Sequence, residues 1–327
     1  MEIILTVIGG LGLFLYAINN LSDLLRALVG DRAKKWLGYC TKNVITAIFT
    51  GIFVTVLLDS SSAVIIMTII LVNASAISFR QSLGVVMGAN IGTTFSSQLI
   101  ALDIGKWSPI PIVLGLILSF IVRDPRLSKP GKVLLFFGIM FFGLYTMERA
   151  VEPLREHPEF LNWMTRLEDP VKGAGIGALV TLIIQSSSAT VGMVITLAKK
   201  ALITLPAGIA VMLGAELGTC SDTLLATIRS NRKAVKTGLF HLFFNLVSII
   251  IGLLLFKWYT GFIETISGNA HIEQKIANAH MIFNTAGVLL FLPFLKYIER
   301  LLNKWLPDKP PIPEKPKIKE KLVTETA

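Results

Sequence analysis

Charge is scarce in this chain: only 16% of its 327 residues are Asp, Glu, Lys or Arg, where a water-soluble globular protein carries nearer a quarter. Cysteine is scarcer still. Two residues, Cys40 and Cys220, make no disulfide framework. The start Met1-Glu2 lacks a basic n-region and no small-residue cleavage site follows, so the first apolar run is expected to be a retained helix rather than a signal peptide. The apolar runs also lack the apolar/polar alternation of barrel strands, which excludes an outer-membrane-type barrel.

What the chain has in quantity is apolar residues, at 53%, with a mean hydropathy of +0.68. Residues 3–21, 83–102, 108–122, 133–147, 237–256 and 276–295 contain no Lys, Arg, Asp or Glu. Most are long enough to cross, or nearly cross, a hydrocarbon core of about 30 Å as helices. The expected fold class is therefore an all-α polytopic membrane protein. The net charge of +10 does not point to nucleic acid, because the surplus sits in short loops and the tail, where it orients a membrane protein.

The chain also contains itself twice. DSSSAVIIMTIILVNASAISFRQSLGVVMGANIGTT begins at 59 and QSSSATVGMVITLAKKALITLPAGIAVMLGAELGTC begins at 185. The triple serine and the Gly-Ala-x-x-Gly-Thr element are equally spaced in both, so Asp59 aligns with Gln185 and Asn90 with Glu216. Upstream, LYAINNLSDLLR (15–26) matches LYTMERAVEPLR (144–155) more weakly. The expected organisation is a first transmembrane repeat at 1–130, a second at 131–260, a further transmembrane helix at 261–305, and a Pro- and Lys-rich disordered cytoplasmic tail at 306–327.

Serine runs are poor helix interiors, so the run 44–77 is expected to break at Asp59-Ser60-Ser61-Ser62. Two half-helices of about 15 residues would each reach only about 22 Å, which fits a re-entrant hairpin better than one span. Such irregular backbone is tolerated at that depth only where it is buried in protein or lines a cavity. Three crossings per unit then invert the second unit relative to the first. A majority of the 31 Lys and Arg fall on the inner side if the N-terminus is outside and the C-terminus cytoplasmic.

Inverted repeats with paired broken helices are the architecture of secondary transporters. Six hydroxyls, on Ser60, Ser61, Ser62, Ser186, Ser187 and Ser188, together with two helix N-termini, suit a small oxyanion bound beside hard cations. The apolar spans hold no Lys or Arg as fixed counter-ion, but they do hold Asp59, Glu216 and Asp222. An anion among carboxylates needs bound cations to remove the repulsion, and cations also offset about 2.3 kcal/mol per charge per 100 mV. Ser and Thr in membrane helices more often serve as packing glue, yet packing alone does not explain a triple serine duplicated in register. A second duplication, His241/Asn245 and His280/Asn284, puts each pair on one helix face; matched helix–helix hydrogen bonds are its plainer reading. An intramembrane serine hydrolase using Ser60 or Ser186 with His241 or His280 would explain neither duplication, and an enzyme is not expected.

These residues resemble the type II sodium–phosphate cotransporter family, whose halves each carry a Gln-Ser-Ser-Ser motif; the resemblance covers about residues 5–300. It implies Na+-driven transport of inorganic phosphate by alternating access, with Na+ as coupling ion. It places substrate contacts at the six serines, with Asn90, Thr93, Thr94 and Thr219 on supporting helices. Asp59, Gln185 and Glu216 become Na+ candidates. Asp59 stands where the family pattern has Gln and Glu216 where Asn is usual, and both are hypothesised to alter cation number or to allow proton coupling. Many bacterial relatives carry a C-terminal phosphate-uptake-regulator-like domain, which is not expected here. The implied location is a plasma membrane or bacterial inner membrane. Oligomeric state and the direction of net flux stay open, as does the choice between phosphate and another small oxyanion.

Overall fold

The computed structural model describes residues 2–102, 104–122 and 124–308; most of the expected tail lies outside them. Every regular element among the described residues is helical. In chain order they are α1 (Glu2–Tyr39), α2 (Val44–Leu58), α3 (Ser61–Asn73), α4 (Phe79–Ala101) and α5 (Pro109–Leu116). Next come α6 (Pro125–Val151), α7 (Pro158–Thr165), α8 (Pro170–Ile184), α9 (Ser187–Lys199) and α10 (Leu205–Gly218). The last are α11 (Cys220–Leu225), α12 (Arg232–Leu254), α13 (Phe256–Ser267), α14 (Ile272–Phe291) and α15 (Leu295–Trp305).

Four helical stretches are long and apolar enough to cross a membrane: Glu2–Tyr39, Arg126–Glu156, Arg232–Leu254 and Ile272–Trp305. A fifth would be Phe79–Ala101 joined to Gly105–Ile121 across a bend of 75°. Large apolar side chains such as Ile8, Phe49, Phe120, Ile183, Leu254, Trp258 and Leu289 are exposed, as a lipid solvent permits and water does not.

Two differences from the sequence expectation shape the site. The first apolar run does not end at residue 21: α1 continues unbroken to Tyr39, because no proline or cap interrupts it. Its polar second half carries a narrow stripe of Gly30, Ala33 and Leu37, all buried, and Ala33 and Leu37 join an apolar cluster with Ala47, Ile48 and Met67. The segment 261–305 is not one helix either. It holds the end of α13, then α14, then an amphipathic α15 whose Leu295, Ile298 and Leu302 face inward.

Glycine sets how closely the helices approach. A Cβ on Gly88 of α4 would lie 2.0 Å from the Ile48 carbonyl oxygen on α2, and one on Gly214 of α10 would lie 1.8 Å from the Ala174 carbonyl oxygen on α8. The Gly-Ala-x-x-Gly-Thr elements thus press α4 onto α2 and α10 onto α8, backbone to backbone, as small residues do between membrane helices. At one end of the molecule the fully buried Lys236 on α12 holds Asn303 Oδ1 at 2.5 Å and Asp308 Oδ1 at 2.9 Å. That pairing ties the residues after α15 back to the bundle.

Candidate functional site

The two serine turns share one backbone conformation. Beyond α2, Asp59 takes the left-handed region at φ 50°, ψ 34°; beyond α8, Gln185 takes it at φ 57°, ψ 30°. This conformation is uphill for residues with a Cβ, and Asp bears it better than Gln. The next residue is extended in both, Ser60 at φ −158° and Ser186 at φ −148°. Each of these serines caps the following helix, its hydroxyl accepting from Ala63 N–H or Ala189 N–H at 3.2 Å. Capping occupies Ser60 and Ser186. It leaves Ser61, Ser62, Ser187 and Ser188 in the first turns of α3 and α9, where backbone N–H groups have no helical acceptor. A Thr181 hydroxyl donating to Thr190 at 2.8 Å, with Thr190 donating to the Ser186 carbonyl at 3.2 Å, braces the second turn.

Both turns open into one polar cavity of about 480 Å3. All six serines line it, with Asp59, Gln185, Thr219 and Asp222. The remaining wall is Ala63 and Ile66 of α3 and a face of α1 that includes Asn19, Ser22, Asp23 and Arg26. Asp59 Oδ1 accepts from the Ser96 hydroxyl, and its backbone carbonyl accepts from Ser22 Oγ at 3.4 Å. Asp222 Oδ1 accepts from the Thr223 N–H at 2.7 Å and lies within reach of the Ser62 hydroxyl. Arg26 meets Asp23 Oδ1 at 3.6 Å, too long for a bidentate guanidinium–carboxylate pair, so its donor fork remains open to a ligand.

The cavity therefore gathers Ser60–Ser62, Ser186–Ser188, Asp59, Gln185, Thr219 and Asp222, and leaves out Asn90, Thr93, Thr94, Glu216 and the two histidines. Asn90, Thr93 and Thr94 are buried on α4, where their side chains donate to the Val86, Ala89 and Ile91 carbonyls one turn back. Glu216 is 2% exposed and faces another way, its Oε1 lying 2.7 Å from His280 Nε2. His280 Nδ1 in turn lies 2.7 Å from Ser97 Oγ, and His241 Nδ1 lies 2.8 Å from Thr223 Oγ1. Ser97 and Thr223 stand at equivalent positions just past the two duplicated segments, in the same ungapped register that pairs Asn90 with Glu216.

The duplicated histidines thus bond α4 and α11 rather than each other. Neither lines the serine cavity, which removes the geometric basis for a serine hydrolase at these turns.

Arg26 escaped the sequence argument, as did Asn19, Ser22 and Asp23 on the same helix face. Arg26 falls in a stretch that composition assigns to a loop; its signal was its place at the end of the matched segments 15–26 and 144–155. Asp222, named with Asp59 and Glu216 among the carboxylates of the apolar spans, does line the cavity, although its approach to Ser62 could not be read from hydropathy.

A sequence model described as Na+/Pi-cotransporter matches residues 13–149 and 155–291. Among similar curated proteins, the uncharacterized protein YqeW of Bacillus subtilis (strain 168) is 29% identical, covering 90% of this chain and 96% of its own length. The "Putative inorganic phosphate export protein YjbB" of Escherichia coli (strain K12) is 24% identical over 95% of this chain, which spans 57% of that protein. The human "Sodium-dependent phosphate transport protein 2B" is 26% identical over 42% of this chain, a stretch equal to 21% of that protein. No solved structure matches the chain significantly. With the family model matching most of its length, this chain is a transporter, not an enzyme, and belongs to the Na+/Pi-cotransporter family.

Proposed function

We propose that this chain couples Na+ to the movement of inorganic phosphate across a plasma or bacterial inner membrane by alternating access. The supporting observation is the single cavity where both serine turns converge with one guanidinium and three carboxylates. Phosphate would take the N–H groups and hydroxyls at the starts of α3 and α9, together with the Arg26 fork. Na+ would sit among Asp59, Gln185, Asp222 and nearby hydroxyls, neutralising carboxylates that otherwise repel the anion. The N-terminus would lie outside and the C-terminus in the cytoplasm, with the two halves entering the membrane in opposite senses.

The test is uptake of radiolabelled phosphate into proteoliposomes, with and without an inward Na+ gradient and with sulfate as competitor. Accumulation that requires Na+ and ignores sulfate supports the proposal. Sulfate competition without Na+ dependence overturns both the substrate and the coupling ion. A second reading, net export of phosphate, is favoured by the name of YjbB; efflux from preloaded vesicles under a reversed gradient separates the two directions.

A further inference from the structure

We infer that Lys200, held between Glu148 and Glu152, is the closure of the mouth opposite the one that Arg26 borders. The matched segments 15–26 and 144–155 put Asn19, Ser22, Asp23 and Arg26 in register with Glu148, Val151, Glu152 and Arg155. The first set lies on α1, and the second on α6 and the turn after it. These helices pack antiparallel: Gly10 approaches Gly143 and Met147, while Gly143 approaches Phe14. The two matched faces therefore lie toward opposite ends of the helix pair.

Their surroundings differ. On α1 the face lines the open serine cavity. On α6 it is covered by Lys200, whose Nζ lies 3.1 Å from Glu148 Oε1 and 3.6 Å from Glu152 Oε2. The side chains of Lys200 and Glu148 are 15% and 17% exposed. Glu152 is also 3.6 Å from Arg149 Nη1. Val151, the counterpart of the cavity-lining Ser22, is buried.

Lys200 caps the far end of α9, the helix that starts at the second serine turn. Its neighbour Lys199 donates to the Ile100 and Leu102 carbonyls at 3.3 Å and 3.4 Å, at the end of α4. The hairpin is thus fastened at that end to two helices. In the first hairpin the corresponding residue is Ala74, which can form no ion pair; that hairpin is fastened instead through Asn73 to Asn231, at 2.7 Å and 2.9 Å, away from the face of α1. Opening the second mouth requires Lys200 to leave both carboxylates.

The experiment uses the full chain in proteoliposomes with Cys40→Ser, a Val151→Cys reporter and a membrane-impermeant methanethiosulfonate. Cys40→Ser without the reporter supplies the background from buried Cys220. Lys200→Met is expected to speed reporter labelling about tenfold, the scale for losing a partly buried ion pair. The exchange Glu148→Lys with Lys200→Glu is expected to restore the slow rate. Unchanged labelling in Lys200→Met, or an exchange variant as fast as Lys200→Met, overturns the inference. Should Lys200→Met fail to fold, Glu148→Gln with Glu152→Gln removes the same bridge from α6, and an unchanged rate there is equally decisive against it. The readout needs no substrate, so a chain that carries no phosphate fails the proposed function and leaves this inference standing.

Discussion

Glu216 Oε1 and His280 Nε2 lie 2.7 Å apart, both essentially without solvent, and the far side of the imidazole rests 2.7 Å from Ser97 Oγ. Three helices, α10, α14 and α4, are pinned together by this chain. Removing one partner strands the other. His280→Ala is expected to destabilise the protein by about 2–3 kcal/mol, the scale of a buried polar group left without its hydrogen-bond partner. Glu216→Gln, which keeps an acceptor for the ring, should cost only about 1 kcal/mol. Thermal unfolding in detergent, run as a double-mutant cycle, checks this; additive effects would contradict the coupling.

Arg26 should act on the anion alone. Arg26→Gln is expected to raise the KM for phosphate about tenfold, with Arg26→Lys intermediate because a point charge cannot reproduce the guanidinium fork. The Na+ concentration for half-maximal rate should stay within about twofold of the parent. Equal shifts in both quantities would mean that Arg26 merely holds the cavity's shape.

Asp59→Asn isolates charge from structure. Asn tolerates the left-handed conformation at φ 50° and still offers an oxygen to Ser96. Transport is expected to survive with a weaker Na+ dependence and altered charge movement per phosphate, measured by tracer flux at clamped potential. An unchanged Na+ response would remove Asp59 from the cation site.

Glycine contacts make a prediction that involves no ligand. Gly214→Ala drives a methyl to 1.8 Å from the Ala174 carbonyl oxygen, whereas Gly175 on α8 has nothing within 4 Å of its would-be Cβ. Gly214→Ala should therefore lose at least about 1–3 kcal/mol. Gly175→Ala should be neutral or slightly stabilising through helix propensity. Comparable melting temperatures for the two variants would refute the close-packing account.

The serine turns were legible because the signal is local. A hydroxyl run disfavours helix interior, and the helices do end at Leu58 and Ile184. The Gly-Ala-x-x-Gly-Thr elements were legible only by half. Gly88 and Gly214 make the close approaches that glycine permits, but the polar residues between and after them turn inward to their own helix or, for Glu216, toward a histidine 64 residues away. No window of sequence contains that partner. The course of α1 beyond residue 21 was hidden for another reason: hydropathy reports the solvent a segment prefers, and a charged stretch of helix that lines a polar cavity reads as a loop. Arg26 was lost with it.

The backbone contacts at Gly88 and Gly214 also limit how this protein can deform. Where a carbonyl oxygen fills the space of a missing side chain, neither helix can slide past its partner without collision. α2 with α4, and α8 with α10, must therefore travel as paired planks. The give has to come from the arms that start at the serines, α3 and α9, and from the short connections beyond them.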